Sequence, residues 1–145
     1  MAVKKTRIVL GGLLALAAAF GLIQLIPVSR TNPPVTGDLD PPPPVKAILR
    51  ATCYDCHSNE TVWPWYSSVA PVSWLVAGDT AEGRQHLNFS TWNGNDAERR
   101  RRLATGIARE VREGDMPPWY YVIKHPAAKL TPEKRAALEA WAAAM

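Results

Sequence analysis

The chain is 145 residues long, room for one domain of ordinary size, and at 47% hydrophobic and 21% charged residues it is no disordered tail. Its net charge of +4 is local: Lys4, Lys5 and Arg7 supply three of the 17 basic residues, and the other 14 nearly balance the 13 acids. That balance excludes the massed basic face of a nucleic-acid binder, and two cysteines are too few for a disulfide scaffold.

Residues 8–29 carry no charge. As a helix this run spans about 30 Å, the thickness of a bilayer core. The basic residues before it place the N-terminus in the cytoplasm by the positive-inside rule, and the rest of the chain outside. A cleaved signal peptide is the alternative. Ala17 and Ala19 offer small residues for cleavage, but the apolar run continues through Leu25 and Ile26, beyond the length of a signal-peptide core. Residues 1–29 are therefore expected to be a single transmembrane anchor or a signal sequence.

Residues 30–44 hold six of the 13 prolines. Such a stretch favours polyproline II and lacks backbone donors. It is expected to be a semi-rigid linker reaching up to about 45 Å; a loop wrapped on the domain is the alternative.

Residues 45–145 are expected to form an all-α domain. Val45, Ile48, Leu49, Thr52 and Cys56 recur at helical spacing and predict a helix over 45–57, with Pro44 in its first turn. A second helix is predicted over 69–78. The clearest covers 95–113, with Asn95 as cap, Glu98 completing a capping box, Leu103, Ile107, Val111, Ala104 and Ala108 on one face, and Gly114 as C-cap. A last helix runs from cap Thr131 and Pro132 to about Ala144, with Leu138 and Trp141 inward. No stretch alternates with the period of a strand. Loops this long in so small a domain suggest that something else supplies core.

Cys53-Tyr54-Asp55-Cys56-His57 reads C-x-x-C-H, the attachment signature for c-type haem. Cysteines one helical turn apart can both reach the vinyl groups on one porphyrin edge, and the next residue can turn its imidazole to the iron. A zinc site wants two further ligands at motif spacing, and only His86 and His125 remain. A dithiol redox pair expects a βαβ context, which is missing. For the second axial position the candidates are Met116, His86 and His125. Met116 precedes Pro117 and Pro118, which stiffen the loop behind a weak ligand, and methionine raises the reduction potential. His125 is the runner-up, and His86 reads as a structural histidine.

The stretches CYDCHSNETVWPWYSSVAPVSWLV, EGRQHLNFSTW and GDMPPWYYVIKHPAAKLT resemble the bacterial haem-binding domain family of small, usually membrane-anchored proteins with one C-x-x-C-H. The resemblance covers about residues 42–142. It implies haem binding through Cys53, Cys56 and His57, with Met116 as distal ligand, and no known enzymatic reaction. The wider analogy is to small monohaem cytochromes c.

Trp63, Trp65, Tyr66 and Trp74 follow the attachment site and are expected, with Pro117, to wall a haem pocket; simple core packing is the alternative. Arg84 can pair with a haem propionate or lie on the surface. Arg99 to Arg102 form a solvated helix face or a docking patch for an acidic redox partner.

The expected whole is a c-type haem protein of the bacterial inner membrane, single-pass, its C-terminal domain periplasmic. It would carry electrons to and from redox partner proteins, with no nucleic acid among its partners. The alternative is a haem enzyme or small-ligand sensor, peroxidase-like, with a displaceable sixth ligand.

Overall fold

The computed structural model describes residues 2–145, with side chains from residue 4 onward. Every regular element among the described residues is helical, in line with the lack of period-2 patterning. Two compact units form. One comprises Met1–Thr31 and Trp63–Asp79, the other Asn32–Val62 and Thr80–Met145.

In the first unit, α1 spans Ala2–Ile23. Its side chains from Ile8 to Leu22 are exposed and apolar, and the window from Lys4 to Ile23 has a mean hydropathy of 2.0. By length and composition it can cross a membrane. The helix stops at Ile23, short of the Ser29 boundary expected. Pro27 disfavours helix at Ile26, and the last turn tightens through bonds from Gln24 N to Gly21 O and Leu25 N to Leu22 O. Trp65–Ser68 makes a single 3-10 turn. The helix α4, Val72–His86, begins in this unit, its residues from Thr80 belonging to the second, and runs well past the predicted end near Gly78.

In the second unit, α2 spans Pro43–Thr52 and buries Val45, Leu49 and Thr52. Two prolines in its first turn need no partner for an N–H they lack. The helix predicted to continue through His57 breaks instead at Cys53 (φ −127°, ψ −32°) and restarts as α3, Tyr54–His57. The Thr52 hydroxyl donates back to Ile48 O at 2.8 Å, a bond that bends helices. The helix α5 is Ala97–Glu113, capped by Asp96, whose carboxylate accepts from Arg99 N at 2.7 Å. Asn95, the predicted cap, instead donates to Trp92 O and accepts from Arg99 Nε. Gly114 takes φ +86°, the left-handed cap expected of it. A short α6, Trp119–Lys124, escaped the sequence reading because it buries no residue and so has no periodic face. The last helix, α7, spans Pro132–Ala143 with Thr131 as cap, as predicted.

The core is the chain's own. Leu49, Phe89, Ala104 and Leu138 are fully buried. Tyr54 stacks on Phe89 at 5.0 Å, and Trp92 bridges Phe89 and Trp141, each at 6.4 Å. Aromatic rings from Tyr54, Phe89, Trp92 and Trp141 supply much of this protein core.

The proline-rich stretch corrects the linker expectation. From Asn32 onward it is laid onto the second unit rather than standing as a stalk. Thr36 N and Gly37 N donate to Ser90 O, and Leu39 N to Phe89 O, each at 3.0 Å. Leu39 is buried. Three of the N–H groups between the prolines, those of Thr36, Gly37 and Leu39, are used in this pairing.

Candidate functional site

The break at Cys53 shapes the C-x-x-C-H turn. Cys56 N and His57 N both donate to Cys53 O, at 3.2 and 2.9 Å, so one tight turn carries all three residues. The two intervening residues have separate jobs. Tyr54 enters the core, its hydroxyl donating to Asp38 Oδ1 at 2.9 Å. Asp55 faces the following loop: Oδ1 accepts from Val62 N at 3.1 Å and Oδ2 from the Tyr121 hydroxyl at 2.7 Å. Among the described residues neither cysteine is in a disulfide, and the Cys53 sulfur lies 3.0 Å from the Thr52 hydroxyl.

His57 is held for ligation. Its Nδ1 lies 3.0 Å from Gly83 O and 3.2 Å from Leu87 O. Carbonyls only accept, so Nδ1 carries the proton and Nε2 keeps its lone pair. Burial pushes the imidazole below the usual histidine range, outweighing the two carbonyls, which pull the other way. A neutral ring with a fixed tautomer and a basic Nε2 is the form that binds a metal.

Gly83 makes this possible. A Cβ built there would fall 2.7 Å from Cys56 O and 3.3 Å from Cys56 Cβ. Only a glycine lets α4 come close enough for the Gly83 carbonyl, and that of Leu87 just past the helix end, to meet His57. Composition and periodicity carried no sign of this role.

Burial pushes the Cys53 thiol up to about 11, against a smaller downward pull from the Thr52 hydroxyl. A redox dithiol needs a lowered thiol pKa, so this cysteine is poorly suited to that chemistry. Among the described residues no three His, Cys, Asp or Glu side chains gather into a cation site. A haem fits the donor set better: two thiols and one oriented imidazole on a single turn, the imidazole's outer nitrogen carrying no hydrogen bond among the described residues.

The loop after the motif is braced. Arg84 Nε donates to Ser58 O at 2.7 Å, and its terminal nitrogen reaches Asn32 Oδ1 and Thr61 Oγ1, each at 2.8 Å. Thr61 in turn donates to Asp55 O at 2.7 Å. Asn59 Nδ2 donates to Pro34 O at 2.9 Å. The arginine expected beside a propionate or on the surface is thus a clamp on residues 58–61.

Met116 is 36% exposed, in the loop between α5 and α6. With Pro117, Trp119 and Leu130 it lines an open cleft of about 260 Å³. The Tyr121–Asp55 bond ties α6, just beyond this loop, to the turn bearing Cys56. His125 stacks on Tyr121 at 4.2 Å. His86 is exposed, 3.8 Å from Glu82. Trp63, Trp65, Tyr66 and Trp74 belong to the first unit. Trp65 is 80% exposed there, and the Trp63 indole N–H is buried with no acceptor among the described residues.

Three comparisons bear on this arrangement. The model of a family described as a haem-binding domain matches residues 18–144. No curated protein and no solved structure matches the chain.

Proposed function

The chain belongs to the haem-binding domain family, and we propose that it is a membrane-tethered electron-transfer protein carrying one haem c. Cys53 and Cys56 would hold the haem by thioether bonds, and His57, through Nε2, and Met116, through its sulfur, would bind its iron. The haem supplies a one-electron couple when bound. The observation that carries this reading is the His57 ring, whose Nδ1 proton is shared between two backbone carbonyls.

Each remaining part belongs to the chain. Gly83 O and Leu87 O hold a proton at Nδ1 and so raise the donor strength of Nε2. Asp55 and Arg84 brace the motif loop and keep it from rotating. In this proposal α1 anchors the chain in a bacterial inner membrane, with Lys4, Lys5 and Arg7 on the cytoplasmic side. The haem domain and its redox partner proteins lie on the periplasmic side. Residues 1–29 serve as anchor and 45–145 bear the haem, while the intervening segment belongs largely with the second part.

The test is the visible spectrum of the full chain, matured with the export and haem-attachment machinery. A pyridine haemochrome of thioether type is expected, together with a methionine–iron charge-transfer band at the red end that Met116→Ala removes. The reduced protein should not take up carbon monoxide at neutral pH. Rapid uptake by the unaltered chain would reject Met116 ligation in favour of a ligand-binding haem, and a spectrum with no covalent haem would reject the whole reading.

A further inference from the structure

The stretch from Trp63 to Gly78 has no charged side chain, and its burial is inverted. Ser67, Ala70 and Ser73 are buried, while Trp65 (80% exposed), Leu75 (50%), Val72 (43%) and Trp74 (36%) point outward. A segment facing water does the opposite, and contiguous exposed apolar surface marks a contact.

The same stretch is fastened to the end of α1. The Gln24 side-chain amide pairs with the backbone of Ala70 on both sides, accepting from Ala70 N at 2.8 Å and donating to Ala70 O at 3.2 Å. Arg30 donates to the Ser68 hydroxyl. A side-chain amide satisfying a backbone in this way is of little use in water and of much use where water is scarce.

Depth can be worked out from α1. Its charge-free part, Ile8 to Ile23, rises only about 24 Å at 1.5 Å per residue, less than the roughly 30 Å of a hydrocarbon core. Gln24 therefore reaches no further than the outer boundary of that core, and Leu25 and Ile26, both exposed, continue its apolar belt. Ala70, paired to Gln24, lies at the same level.

We propose that residues 63–78 form a second membrane contact, lying in the outer interfacial layer of the bilayer with Trp65, Val72, Trp74 and Leu75 immersed among the lipids. Tryptophan is the residue of that layer, with an apolar ring and a polar N–H. The absence of charge removes the main cost of immersion. Arg30, beside Ser68, sits where lipid phosphates are found, and its guanidinium matches them. The inference rests on α1 being a membrane anchor and is independent of how the haem is ligated.

The test places the full haem-loaded chain in lipid nanodiscs containing a phospholipid with a photoactivatable group near the headgroup end of one acyl chain. Adducts are mapped by mass spectrometry. Adducts are expected in residues 8–26 and in 63–76, with α5 free of them. Replacing Trp65, Trp74 and Leu75 together by Ser should give a several-fold loss of adducts in 63–76 and leave those in 8–26 unchanged. Adducts confined to 8–26 would overturn the second contact while keeping the anchor. Equal labelling of α5 would overturn it as random collision. Adducts in neither segment would overturn the anchor reading and this inference with it.

Discussion

Gly83→Ala is the sharpest test of how the motif turn is built. The new methyl would sit 2.7 Å from Cys56 O, where ordinary contact begins at 3.4 Å. The clashing atom belongs to the backbone, so no side chain can swing aside, and α4 must retreat from α3 by roughly the difference. Overpacking of this kind costs about 1–3 kcal/mol, and a rigid neighbour argues for the upper end. Alanine recovers about 1 kcal/mol of helix propensity, leaving a net loss of about 2 kcal/mol. For a domain of this size that is a fall in melting temperature of roughly 10 °C. The retreat also carries Gly83 O away from His57 Nδ1. The control lies in the same helix: a Cβ at Gly78 meets nothing within 4 Å, so Gly78→Ala should stabilise by up to about 1 kcal/mol. Circular-dichroism melts of the full chain in detergent would separate the two. If both alanines move the melting temperature the same way, the close approach of α4 to Cys56 is not what holds the turn.

Two further outcomes follow from the same site. Burial holds the His57 imidazole below its usual value of 6.5. Below that pH the unfolded chain takes up a proton that the folded one refuses, so the haem-free protein should lose stability as pH falls under about 6.5, by at most about 1.4 kcal/mol per pH unit, until the folded ring also protonates. Urea titrations of haem-free wild type and His57→Gln from pH 8 to pH 5 should show this slope in the wild type alone; parallel curves would refute the assignment. Tyr121→Phe deletes the hydroxyl bound to Asp55 and should cost about 1–2 kcal/mol, with Met116 ligation weakened because its loop leads into α6. An unchanged melting temperature together with an unchanged charge-transfer band would show that the bond has no part in placing that loop.

Much of this protein was legible locally. The C-x-x-C-H turn, the charge-free run, the Gly114 and Thr131 caps and the inward faces of α5 and α7 are patterns within a few residues of one another. Their physics is that of single turns and single helix faces. Where the reading slipped by a residue, as at Asn95 and Asp96, two good capping residues stood side by side and only the backbone chose between them. The break at Cys53 was hidden because the apolar spacing runs through it unbroken.

What the tertiary structure decided lies between segments far apart in the chain. Nothing in the neighbourhood of Gly83 says that Cys56 will be pressed against it. Nothing near Asp55 announces a tyrosine from α6. Prolines from 33 to 44 suggested a free linker, because their composition lacks donors; the few remaining donors find Ser90 and Phe89 carbonyls only once the domain has folded. In sequence Arg84 read as a propionate partner or a surface arginine; in the fold three acceptors converge on it and make it a clamp. Composition and periodicity therefore determined which groups are present and where the helices with a regular apolar face, such as α5 and α7, lie. The fold alone determined the state of His57, since a proton on Nδ1 and a lone pair on Nε2 depend on the carbonyls of Gly83, in α4, and Leu87, just past its end.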